Sequence, residues 1–213
     1  MKTSSTHRIL TLLSLTLSTT MAIGTIGATS LPACAETGKE TVDKLVQVFT
    51  TWKGNGPNKE AYDEAAKYID YHAIAQRSLN TDEWKKLTPM QKDEFVKSLK
   101  ALIEERYYIR WHKIFSKGSM AFVGEANSGG DTIVKTKLTL GKTIDPLEWR
   151  LNSSGNDHKV VSLDVNDSDL LKKLNGRLQG RFDKYGFNGL LGWMKDKANV
   201  GPNTQEASTG TAH

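Results

Sequence analysis

The sequence predicts an α+β fold in which helices cover one face of a four-stranded antiparallel meander sheet. Apolar residues recur at helical spacing from Val42 to Ile114, alternate with polar ones from Met120 to Val165, and return to helical spacing from Leu170 to Met194. Short turn sequences punctuate the alternating stretch, and strands joined by short turns pair as antiparallel neighbours. The 213 residues are 38% hydrophobic and 25% charged, which suits one domain with its own core. Helices are expected over 37–116, the sheet over 119–166 and further helices over 168–198, within a single domain spanning 36–198.

The elements follow in order. Thr37-Gly38-Lys39-Glu40 has the form of a capping box, and Val42, Leu45, Val46, Phe49 and Trp52 then mark one face of a first helix. Gly54-Asn55-Gly56-Pro57 breaks it. A short helix through Tyr62, Ala65 and Ala66 leads to a new start at Asp70, and Thr81 is placed to cap a turn carrying Trp84. Thr88-Pro89-Met90-Gln91 joins a second capping box to a proline at the first helical position. Phe95, Leu99, Leu102, Ile103, Tyr107, Trp111 and Ile114 then mark a single long helix.

Strands are expected over Met120–Glu125 and Thr132–Leu140, separated by the turn Asn127-Ser128-Gly129-Gly130. Val134, Thr136, Leu138 and Leu140 share one face of the second. After Gly141-Lys142, Leu147, Trp149 and Leu151 face one way and Glu148 and Arg150 the other; Val161, Leu163 and Val165 alternate on a fourth strand. Leu170, Leu171, Leu174, Leu178 and Phe182 return to helical spacing, Gly186 ends that helix, and Leu190, Leu191 and Met194 belong to a last short one. The tail over 199–213 is polar and expected to be disordered.

The N-terminus carries an address. Lys2, His7 and Arg8 precede an uncharged apolar run from Ile9 to Ala28 and the small triplet Ala33-Cys34-Ala35, the pattern of a cleaved secretory signal peptide over 1–35. Cleavage there leaves 178 residues without cysteine. Leu31-Pro32-Ala33-Cys34 also loosely resembles a lipoprotein box, which would tether the chain through Cys34. Both readings place the protein outside the cytoplasm.

Catalytic chemistry is sparse. His72, His112, His158 and His213 have no metal-ligand spacing, and no G-x-S-x-G occurs. Gly141-Lys142-Thr143 ends like a phosphate-binding loop, but Thr136 stands where its first glycine belongs. Asp164, Asn166, Asp167 and Asp169 cluster like a calcium loop but lack its glycine and its final glutamate, which favours a strand end and helix cap. The net charge of +5 is mild, and aromatic residues do not interleave with cations along a strand, so no nucleic-acid partner is expected. Lys172, Lys173, Arg177, Arg181 and Lys184, like Lys92, Lys97 and Lys100, form either a solvated face or a contact for anionic head groups or an acidic partner.

The stretch Tyr68-Ile69-Asp70-Tyr71-His72-Ala73-Ile74-Ala75-Gln76-Arg77-Ser78-Leu79, followed by Trp84, Thr88-Pro89-Met90-Gln91 and Phe95, resembles the MlaC or toluene-tolerance family. Trp149-Arg150-Leu151, Val160 to Val165 and Gly186 to Leu191 resemble its later elements, so the likeness spans nearly the whole mature chain. Departures are Asn80 where the family has glycine, His158 or Lys159 where it has tryptophan, and the segments Asn166 to Leu170 and Gly176-Arg177. The resemblance implies a periplasmic phospholipid carrier. It also implies partners: an inner-membrane ABC lipid transporter complex and an outer-membrane lipoprotein-porin complex, in a system that maintains outer-membrane lipid asymmetry.

The resemblance further implies an apolar cavity between sheet and helices, with phospholipid as cargo and no cofactor. Two acyl chains of about sixteen carbons represent on the order of 20 kcal/mol of apolar exposure, at about 0.8 kcal/mol per CH₂, that an aqueous carrier must cover. The expected lining is Val134, Leu138, Leu147, Trp149, Val161, Leu163 and Val165 on the sheet, with Phe95, Leu99, Leu102, Ile103 and Tyr107 on the facing helix. Two other classes remain: a tethered scaffold with a filled core, and a small enzyme, which would need His72, Asp70 or Arg150 inside the pocket.

Overall fold

The computed structural model describes residues 37–153, 157–166 and 168–199. The expected signal peptide, and the expected tail beyond residue 199, lie outside the described residues. Helix α1 (Gly38–Thr51) starts at the expected capping box: Glu40 N donates to Thr37 Oγ1 at 3.2 Å, and Thr37 N donates to the Glu40 carboxylate at 2.9 Å. The Glu125 carboxylate, on the sheet, accepts from the amides of Gly38 (3.3 Å) and Lys39 (2.9 Å), so two more orphan donors are satisfied. A Cβ on Gly38 would stand 3.0 Å from methyls of Thr132 and Val134. Glycine therefore lets the helix lie directly on the sheet.

Helix α2 (Lys59–Ala65) continues into a 3₁₀ turn (Ala66–Tyr68), and α3 (Tyr71–Arg77) begins where expected, with Asp70 accepting from Ala73 N at 2.8 Å. Helix α4 (Thr81–Lys86) differs by one residue. Asn80, extended at φ −57° and ψ 143°, holds the cap position without a side-chain cap bond, and Thr81 is the first helical residue. The amide of Asn80 donates to Gln179 at 2.8 Å, which turns the chain one residue earlier than expected.

Helix α5 (Pro89–Ile103) has its capping box and N-terminal proline, but the single long helix expected to follow is interrupted. Glu104–Tyr108 form a π turn before α6 (Ile109–Phe115). The wider turn inserts a residue into the register. Tyr108, rather than Tyr107, is fully buried: it lies edge-on to Phe49 (5.2 Å) and Tyr62 (5.1 Å), with its hydroxyl hydrogen-bonded to that of Tyr71. Tyr107 is left half-buried, facing the sheet side.

Strands β1 (Ser119–Ser128), β2 (Asp131–Leu140), β3 (Thr143–Asn152) and β4 (Lys159–Val165) form the expected antiparallel meander in sequence order. β1 runs three residues further than expected because its turn shrinks to Gly129-Gly130, at φ +61° and +85°. Both are conformations that side-chain-bearing residues rarely adopt, so the two glycines close the hairpin. A fifth strand of two residues, β5 (Ser168–Asp169), pairs with β4 and was not foreseen. A register shift between Arg150 and Leu151 buries both Val160 and Val161.

Helix α7 (Leu170–Asn199) is broken at Gly186 (φ +66°, ψ −174°), as the glycine predicts. Asp169 caps it, accepting from Lys172 N at 2.9 Å, which is the cap role expected for the acidic stretch. Leu147, Trp149 and Leu151 are buried under the helices, with Glu148 and Arg150 on the opposite sheet face.

Candidate functional site

Between β2, β3 and β4 on one side and the π turn, α6 and the start of α7 on the other, the core opens into a cavity of two adjoining lobes. The first is a narrow slot of about 50 Å³ between Ile103, Trp149, Val160, Val161, Leu171 and Leu174, with Ile69, Ile74 and Ser162 completing its wall. The second, of about 240 Å³, lies among Leu138, Leu140, Leu147, Val165, Ile114 and Phe115, and Arg110 and Asp145 supply its polar groups. Tyr107, Trp111, Leu163 and Leu170 border both lobes. Both are partly open to solvent.

Two polar groups in the walls are held by partners of their own. Trp149 Nε1 donates to the buried Thr136 hydroxyl at 3.0 Å, leaving the indole face for the cavity. Ser162 Oγ donates to Asp169 at 3.0 Å and accepts from Leu171 N at 3.2 Å. Behind the π turn, burial pushes the Tyr71 and Tyr108 phenols well up and that of Tyr62 up to about 12, so all three stay neutral at physiological pH. Such an interior suits hydrocarbon and costs nothing in stranded charge.

Eight of the residues expected on the lining border a lobe: Ile103, Tyr107, Leu138, Leu147, Trp149, Val161, Leu163 and Val165. Phe95, Leu99, Leu102 and Val134 do not. Phe95 is fully buried between Trp84 (6.3 Å) and Phe187 (6.5 Å), at the end of α5 that the second half of α7 fills. Leu99 and Leu102 belong to the same buried cluster, and Val134 lies beneath the first turn of α1. Trp111, Leu170, Leu171 and Leu174 line the cavity without having been expected there. Trp111 lies four residues beyond Tyr107, a spacing that was available as a signal. The leucines depend on the two-residue β5, which swings α7 over the cavity.

The family model for the MlaC protein matches residues 39–196. The chain belongs to the MlaC family. A similar solved structure is a phospholipid-binding protein from Ralstonia solanacearum, determined in complex with a phospholipid. It aligns with a TM-score of 0.66 at 17% identity, covering 78% of this chain and 98% of that one. At that identity the likeness establishes a shared fold. No curated protein matches the sequence.

The residues that carry the MlaC resemblance hold the frame around the cavity. Asp70 caps α3 and accepts from Asn152 Nδ2 at 2.9 Å, and its amide donates to Val160 O at 3.0 Å, pinning the start of α3 to β4. Arg77 makes a two-pronged ion pair with Asp131 at 2.8 Å, tying the end of α3 to the start of β2. The three residues on which an enzyme reading rested, His72, Asp70 and Arg150, do not line the cavity. His72 is exposed and edge-on to Trp84, Asp70 is engaged as described, and Arg150 lies 3.6 Å from Asp131 on the far sheet face.

The remaining sequence motifs are structural. His112 is buried against Trp52, with its ring nitrogens 2.7 Å from Phe49 O and 2.9 Å from Gly54 O, so it ties α6 to the end of α1. Gly141 makes the β2–β3 turn at φ +60°. Asn166, at φ +50°, donates to Asp145, while Asp167 lies outside the described residues. Among the described residues no three His, Cys, Asp or Glu gather as metal ligands, and no helix is long and apolar enough to cross a membrane.

Proposed function

We propose that this MlaC-family protein is a periplasmic phospholipid carrier. The acyl tails occupy the two-lobed cavity while the head group stays at its open side, and no cofactor or covalent step is involved. The carrier moves phospholipid between the inner and outer membranes, handing over to an inner-membrane ABC lipid transporter and exchanging with an outer-membrane lipoprotein-porin complex. The observation that carries this reading is the apolar cavity itself, enclosed by a family-typical frame whose polar residues are spent on caps and ion pairs. Family membership and the phospholipid bound by the Ralstonia solanacearum protein of the same fold support the choice of cargo.

Unloading requires a partner that favours an opened state, because a ligand shifts a two-state equilibrium only by its differential affinity. The test is organic extraction and lipid mass spectrometry of the protein purified from periplasm without detergent, with intact mass on the same sample. One phospholipid per chain, on a mass starting at Glu36, is the expected result. A reproducibly lipid-free protein overturns the carrier, and a lipidated Cys34 turns the reading to the tethered scaffold. Leu163→Asp, at the junction of the lobes, should abolish co-purified lipid.

A further inference from the structure

The charge of this protein is unevenly placed. Residues 37–169 carry twenty Lys and Arg against twenty Asp and Glu, whereas α7 carries seven Lys and Arg against Asp183 and Asp196. The whole net charge of residues 37–199 therefore sits on one helix. Within its first segment, Lys173, Arg177, Arg181 and Lys184 are spaced four, four and three residues apart, which places them in one stripe, and all four are exposed. The Arg181 guanidinium lies over Tyr185 (5.6 Å) and Trp193 (5.3 Å), and Lys184 over Tyr185 (5.1 Å). These aromatic rings hold the cations at the surface.

We propose that this stripe docks the protein on an anionic phospholipid bilayer surface. Leu170, Leu171 and Leu174 of the same helix line the cavity, so a membrane met by the stripe lies against an element of the cavity wall. An acidic protein is the less suited occupant. Protein interfaces are built around a core depleted in charge, and Tyr185 is the one large apolar side chain of α7, among its described residues, that is exposed. Adsorption to an anionic surface needs only the charge, with basic aromatic pairs at the headgroup level.

The lipid cargo rests on the proposed function, but the docking is tested without it. Sucrose-loaded vesicles of phosphatidylglycerol and phosphatidylethanolamine, at three to seven by mole, are sedimented with the protein, alongside vesicles of phosphatidylcholine alone. Four cations at the surface predict partitioning at least tenfold stronger onto the anionic vesicles at low salt, lost at about 0.5 M NaCl. The variant K173E/R177E/R181E/K184E should lose it, while K85E/K86E, an exposed pair on α4, should retain most of it. Circular dichroism confirms folding of both.

Absent binding to anionic vesicles, or equal loss in the two variants, overturns the proposal and leaves the stripe to an acidic protein partner. Uptake of a fluorescent phospholipid from the same vesicles separates the two readings. Adsorption without uptake defeats the cargo assignment alone, whereas equal uptake from both vesicle types without adsorption defeats the docking alone.

Discussion

The two ends of the helical layer share one sequence pattern and differ in what fills them. At one end, Phe95 and Leu99 of α5 are fully buried against Trp84 and the second half of α7. At the other, Tyr107 and Trp111 face the sheet across the cavity, and both remain half-buried. Helical periodicity marks which face of a helix turns inward, but it carries no information on whether opposing side chains meet. The filled end supplies rigidity, and the hollow end supplies space that a close-packed protein otherwise lacks.

Truncation should separate the ends most sharply. Leu99→Ala removes a side chain surrounded on all sides and should cost about 4 kcal/mol in urea unfolding. Leu163→Ala, at the junction of the lobes, removes a side chain that already lacks partners on its cavity side and should cost about 2 kcal/mol. Equal losses would mean that the cavity is as well packed as the core.

The next largest effect concerns the frame. Asp131 is buried and takes both prongs of Arg77, so Arg77→Ala leaves a carboxylate whose remaining cation, Arg150, is 3.6 Å away. With Arg77 one-third exposed, the expected loss is about 2 kcal/mol, less than for a fully buried pair. Lipid content per folded chain should stay as in the parent protein. Lost lipid at unchanged stability would instead assign this arginine to the cargo.

Filling the cavity should show the reverse. Leu170→Trp places a larger side chain where the lobes meet, at a residue that is itself half-buried. Stability should change by less than about 1 kcal/mol, since there is room to accept the ring. Co-purified phospholipid should fall at least tenfold, as read by mass spectrometry. Parent-like lipid content would place the tails elsewhere.

These contrasts also explain what was legible in the sequence. The capping boxes at Thr37 and Thr88, the Gly186 break and the meander are local, and each appears where its residues put it. On the sheet, alternation located six of the seven expected residues at the cavity, missing only Val134, which the Gly38 turn of α1 covers. Past the π turn the helix keeps Trp111 and Ile114 at the cavity, and of the five residues expected on the helix only Ile103 and Tyr107 join them, because α7 fills the space before Ile103. That filling has no local signature: it depends on where a distant helix lands.

The smallest effect tests the π turn, where the two ends meet. Tyr107 of this turn faces the cavity, while Glu104 lies on the filled side near the phenols of Tyr62, Tyr71 and Tyr108. Burial raises the Glu104 carboxyl above its ordinary value of 4.5, opposed but not cancelled by the ion pair with Lys100 at 2.8 Å. The folded state thus holds this proton to higher pH than the unfolded chain does. Its contribution to stability is fully present below the unfolded value and is lost as pH rises through the folded one. Glu104→Gln keeps the shape and removes the titration. Its melting temperature should match the parent's near pH 4 and exceed it by about 1–2 °C at pH 7, a difference of roughly half a kcal/mol. A constant offset at both pH values would show that the turn, rather than the charge within it, sets the stability at this boundary.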